Sequence, residues 1–263
     1  MRRHRPGPKD HQSRTWRGKQ HKTPHRFSPD RALLFGLHAV EAALANPKRE
    51  ILRVLATENA AHRLAPLLVK RGINAEPASP RDLDRLLGGD AVHQGIALEA
   101  EPLPPVSLDE IDPNGILLVL DQVTDPQNVG AALRSAAAFG AAGLVMTERH
   151  SAPPQGALAK AASGALDIVP LILIKNLAQT LTELGERGVL RIGLAEQAEA
   201  PLETAELTRP LALVLGAEGK GLRQLTRERC DLLCRISTQS ALASLNVSNA
   251  AAVALHWASL NAR

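Results

Sequence analysis

From Leu33 onward the chain runs in short blocks whose hydrophobic period switches between that of a helix and that of a strand. Residues 37–45 read as a helix, 51–56 as a β-rich run and 60–71 as a second helix. A short strand is expected near Ile73, followed by a helix opened by Ser79 and Pro80, residue types favoured at the N-cap and first helical position. A strand over 95–99 closes a small α/β unit spanning residues 30–100. The next stretch, 101–115, holds four prolines and several acids without periodicity and reads as a linker. Beyond it, runs at 116–120, 143–146, 168–174, 190–194, 211–215 and 232–236 are apolar at nearly every position and are separated by helical text. Such runs are strands covered on both faces, and their alternation with helices predicts a mostly parallel sheet over residues 116–263. Ligands of such sheets sit at the carboxyl ends of the strands, so the loops that follow these runs are the places to seek chemistry.

Composition narrows the function. The 263 residues include three Phe, two Trp and no Tyr, which argues against nucleic-acid recognition by several stacked rings. No uncharged apolar run approaches the length of a membrane span, and the basic start lacks the apolar segment of a secretory signal. Charge is uneven: residues 1–29 hold nine Lys or Arg and one Asp, a tail of +8, while the remainder is −4. The tail is poor in aliphatic residues, is expected to be disordered, and suits a phosphate-binding arm.

Three loops stand out. Asp121–Gly130, DQVTDPQNVG, precedes a helix of small residues that would let another backbone approach closely; Asn128 suits its N-cap, and the planar fork of Arg134 suits a phosphate or carboxylate. The second loop, Gly216–Leu222, has three glycines in a spacing that is neither a dinucleotide fingerprint nor a P-loop, and Glu218 would repel a bare phosphate. The third, Ser244 to Asn249, opens a last helix with more Ser and Asn than one cap needs. An apolar stripe follows at Val247, Ala250, Ala251, Ala254, Leu255 and Ala258; core packing or a dimer seam would account for it. Cys230 and Cys234 form a CxxxC without the third cysteine of a radical-type iron–sulfur site, and the histidines lack metal spacing, so buried thiols and no metal are expected.

Taken together, DxVxDPxNxGAxxR at 121–134, LGxEGxGL at 215–222 and SLNVSxA at 244–250 resemble the three motifs of the SpoU (TrmH) family of RNA ribose 2'-O-methyltransferases. The leading LLFGLHAVEAAL at 33–44 and HQGIALEA at 93–100 resemble the small substrate-binding domain of members acting on large-subunit ribosomal RNA. The resemblance implies an α/β fold of the SPOUT type with a C-terminal trefoil knot, an S-adenosylmethionine cofactor, a cytoplasmic homodimer and a 23S rRNA guanosine as substrate. It implies a catalytic set of Asn128, Arg134, Glu218, Ser244 and Asn246, with Leu215, Gly216, Gly219, Ile236 and Leu245 around the cofactor. The segment Ile236–Ser240 departs from the family's Ile-Pro-Met and nearby Gly, and so raises a non-catalytic RNA-binding factor of the same fold as an alternative, beside a tRNA methyltransferase. A guanidinium is a poor proton acceptor, so Arg134 is expected to clamp a phosphate and stabilise the developing alkoxide rather than act as the base.

Overall fold

The computed structural model describes residues 31–152, 157–239 and 245–263. The expected tail at 1–29 and Ser244 lie outside the described residues. Among the described residues no helix is long and apolar enough to cross a membrane.

The leading unit is a four-stranded sheet in the order β1-β4-β2-β3. Its strands are β1 (Ala32–Phe35), β2 (Ile51–Ala56), β3 (Glu76–Pro77) and β4 (Ile96–Ala100), with β4 antiparallel to both neighbours and β3 parallel to β2. Helices α1 (Leu37–Ala45) and α2 (Glu58–Arg71) bury Val40, Leu44, Leu64 and Leu68 against one face; α3 (Pro80–Leu87) covers the other through Leu83. Local chemistry sets these helix ends. Thr57 caps α2, Gly72 ends it in a left-handed conformation, and Ser79 with Asp82 forms a capping box under Pro80. Two expectations shift: the strand near Ile73 lies at Glu76–Pro77, and α2 begins two residues early because Thr57 supplies its cap.

The second sheet has seven strands in the order β7-β6-β5-β10-β8-β11-β9, and every neighbouring pair is parallel. They are β5 (Ile116–Asp121), β6 (Gly143–Thr147), β7 (Leu171–Ile174), β8 (Leu190–Leu194), β9 (Ala200–Pro201), β10 (Leu211–Gly216) and β11 (Leu232–Arg235). Both-face burial is explicit in β5. Ile116, Leu118 and Leu120 meet α4 (Pro126–Ala138), α5 (Ala157–Ala162) and α8 (Val247–Asn261), while Leu117 and Val119 meet α6 (Leu177–Glu186) on the opposite side. The short α7 (Gln224–Glu228) follows the glycine loop. Of the apolar stripe on α8, Val247, Ala251, Ala254, Leu255 and Ala258 are buried in this core, with Ala250 half-buried beside them, so packing within the chain accounts for it. Residues 168–170 precede β7 rather than belonging to it, as Pro170 blocks continuation of the ladder.

Residues 101–115 cross between the sheets with a single 3-10 turn at Leu108–Glu110, and Leu108 and Ile111 pack onto the large sheet's second face. The two units also touch directly. Arg49 donates from Nε and Nη2 to the Asp167 carboxylate at 2.8 and 3.0 Å, Asn46 adds a bond of 3.0 Å, and the ion-paired side chains are 3% and 0% exposed.

Candidate active site

The three loops gather at the carboxyl edge of the large sheet, where β5, β10 and β11 end. In the first, Asp125 caps α4 and Pro126 occupies its first turn, so Asn128 lies inside the helix and is not the cap expected from sequence. The Asp-Pro pair supplies the acceptor and the preset φ three residues earlier than expected, which frees the Asn128 amide for tertiary contact. In the second, the chain turns back on itself: Gly221 N–H donates to Ala217 carbonyl at 2.8 Å, with Gly219 and Gly221 at φ 73° and 64°. A Cβ on Gly216 would lie 2.0 Å from the Gly221 carbonyl carbon, so the fold-back leaves no room for a side chain there. In the third, Asn246 caps α8, its Oδ1 accepting from the Ser248 and Asn249 backbone at 2.9 and 3.4 Å.

Glu218 joins all three. Its Oε1 accepts from Asn128 Nδ2 at 3.1 Å, from Asn246 Nδ2 at 2.5 Å and from the Val247 amide at 3.4 Å, and Asn246 Nδ2 also reaches Asn128 Oδ1 at 2.9 Å. All three donors are neutral amide groups. The junction borders a cleft lined by Leu215, Gly216, Glu218, Gly219, Ile236 and Leu245, so the five residues expected around a cofactor share one depression. Leu194, Leu222 and Val247 add aliphatic wall, while Glu196, Lys220 and Arg227 stand among its lining residues. Such a cleft accepts a flat apolar group and a charged one together, and the negative Glu218 favours a cation. Arg134 is exposed on α4 and is not joined to this junction.

Two contacts were not foreseen from sequence. Asp121, at the end of β5, is fully buried and receives Arg223 through its backbone N–H at 3.0 Å and Nε at 2.7 Å, which ties the first loop to the chain just after the glycine loop. An Asp opening a loop after an apolar strand was the available signal. At the departure from the family pattern, Ser237 Oγ bonds Glu203 at 3.1 Å, so a side-chain tether stands where the family carries a rigid proline, and Ile236 still lines the cleft. The thiols are free: Cys234 is buried and Cys230 half-buried, and burial pushes the Cys230 thiol up to about 12, away from nucleophilic use.

A profile described as the SpoU rRNA Methylase family matches residues 115–256, and one described as RNA 2'-O ribose methyltransferase substrate binding matches residues 33–106. The 23S rRNA (guanosine-2'-O-)-methyltransferase RlmB of Ralstonia nicotianae is 43% identical over 232 residues, covering 85% of this chain and 93% of its own. Among solved structures, the SpoU methyltransferase AviRb from Streptomyces viridochromogenes in complex with AdoMet superposes with a TM-score of 0.72 at 23% identity, over 89% of this chain and 92% of that one, a likeness of fold. A structure concerned with 2-OH methylation of C/U34 on tRNA is 29% identical with a TM-score of 0.50, and covers 57% of this chain and 98% of its own.

Proposed function

Because this chain belongs to the SpoU rRNA methylase family, we propose that it transfers a methyl group from S-adenosylmethionine to the ribose 2'-hydroxyl of a 23S rRNA guanosine. The observation that carries the reading is the Asn128–Glu218–Asn246 junction beside the cleft. The extent of likeness favours ribosomal over transfer RNA: the RlmB relative matches through both units, whereas the tRNA-related structure covers just over half of the chain.

When bound, S-adenosylmethionine supplies an electrophilic methyl group on a positively charged sulfur. Leu215, Ile236 and Leu245 form apolar wall for it, Gly216 and Gly219 bring main chain close, and Glu218 offsets the cationic charge. Asn128 and Asn246, locked by Glu218, hold the ribose so that its hydroxyl oxygen is aligned, and alignment is the largest contribution such a displacement needs. Arg134 clamps the neighbouring phosphate and stabilises the developing alkoxide, and water carries the proton away. Ser244 completes the set.

The same reading includes a C-terminal trefoil knot, a homodimer, a cytoplasmic setting, the unit at 30–100 as the substrate-binding domain, and residues 1–29 as an auxiliary phosphate-binding arm.

Incubation with a 23S rRNA transcript and methyl-labelled cofactor, followed by mapping of ribose methylation, should give one modified guanosine. Label in tRNA and none in 23S rRNA would overturn the substrate. Arg134→Ala should lower kcat by about 100-fold or more, the scale of removing a preorganised oxyanion donor, and Arg134→Lys should retain measurable turnover through its charge. A Lys variant as inactive as the Ala variant would count against charge stabilisation.

A further inference from the structure

The carboxyl edge of the large sheet holds a second depression, over β7, β6 and β5, whereas the cleft described above lies over β10, β8 and β11. Gln122 follows β5, Thr147 ends β6 and Lys175 follows β7; Arg149 and His150 come from the loop after β6, and Arg223 closes the side nearest the cleft. Gln122 and His150 adopt φ of 57° and 60°, a left-handed conformation that non-glycine residues enter only when the surroundings compel it. Thr147 Oγ1 helps to hold the loop, donating to the Arg149 carbonyl at 2.6 Å with Ser151 Oγ 3.1 Å away. The buried Asp121 accepts from the Arg223 backbone N–H and Nε, which fixes this lining residue in place without using its Nη groups.

Apart from Arg223, which pairs with the buried Asp121, the basic side chains of the lining have no salt bridge among the described residues. Arg149, His150 and Lys175 are exposed, and among the described residues none of their side chains enters a salt bridge or hydrogen bond. The one carboxylate beside them in the chain, Glu148, is not among the lining residues. A metal ion is excluded by this chemistry, and a neutral ligand would leave the positive charges unanswered. Arginine forks, an ammonium group and the start of α6, capped by Asn176, together match the oxygens of a phosphodiester.

We propose that this depression holds a backbone phosphate of the RNA, anchoring the strand on the same edge of the sheet as the methyl-transfer cleft. The proposal rests on the RNA methyltransferase reading and deepens it by naming groups that fix the strand away from the reacting ribose.

The test uses the full chain, a 23S rRNA transcript and an Arg149→Ala/Lys175→Ala variant, with RNA affinity measured across a KCl series. Arg187→Ala/Arg209→Ala, which removes equal charge before β8 and β10 at the opposite edge, is the control. The pocket variant should bind RNA about tenfold more weakly at low salt, with a log–log salt slope shallower by about 1, and its KM for RNA should rise at unchanged kcat. Its calorimetric affinity for S-adenosylmethionine should equal that of the wild type. Affinity and slope indistinguishable from the wild type, or a loss no larger than the control's, would overturn the proposal. Wild-type protein that binds the transcript without methylating it would defeat the methyltransferase reading, while the predicted change of slope would still support the pocket; wild-type protein that binds no RNA would defeat both.

Discussion

Asp231 takes three hydrogen bonds from Arg191: the backbone N–H at 2.8 Å, Nε at 2.9 Å and Nη2 at 2.5 Å. The guanidinium beside it holds its carboxyl below the usual range, and desolvation opposes this more weakly. A carboxyl whose folded pKa is depressed contributes its stability above the unfolded value and loses it as pH falls through the folded one. Asp231→Asn should therefore be less stable than the wild type at neutral pH by up to about 1 kcal/mol, the scale of a partly exposed pair, and the difference should vanish below the carboxylate range. Urea unfolding at neutral and acidic pH checks this. Side chains of this kind were only partly legible. Glu218 was readable as hostile to phosphate because a carboxylate sat in a glycine turn, but its service to two asparagines was not, since Asn128 and Asn246 both look like ordinary caps in one dimension and only Asn246 is one.

Gly130 sits inside α4, where glycine normally costs helix stability, yet a Cβ there would lie 2.4 Å from Ala161 Cβ and 2.7 Å from the Ala161 carbonyl carbon in α5. The usual gain of about 1 kcal/mol from Gly→Ala in a helix should thus reverse into a loss of about 1–3 kcal/mol from overpacking, measurable by thermal or urea unfolding. The small residues of α4 announced a close backbone approach, and α5 makes it. The long apolar runs also located their strands well, because burial on both faces leaves a continuous signature. The short edge elements were less legible. Strand β3 has two residues and neither is buried, so no hydrophobic period marks it, and β1 merges into the text that precedes α1.

Arg49 and Asp167 join the leading unit to the large sheet in a buried, two-pronged pair, and Gly164 lets α1 approach so closely that a Cβ would stand 2.9 Å from Ala39 Cα. Arg49→Ala would leave the Asp167 carboxylate buried without its cation, at a cost of about 3–5 kcal/mol, whereas an Arg49→Met/Asp167→Leu double variant should recover most of that loss. Urea unfolding of both variants checks this, and a single variant within about 1 kcal/mol of the wild type, as for an exposed pair, would refute it. The amino-acid sequence by itself determined the order of the principal helices and strands, the two-face burial of the large sheet and the three polar loops, because each is written in local spacing, and its motifs carried the resemblance to the family. Tertiary structure alone decided that Asn128, Glu218 and Asn246 meet at one oxygen, that Asp121 anchors Arg223, that Arg49 finds Asp167, and that Arg149 and Lys175 face one depression. An apolar run specifies that a strand is covered but not which strand lies beside it. The insertion of β10 between β5 and β8 is a choice among equally apolar neighbours, made by the packing of the whole sheet.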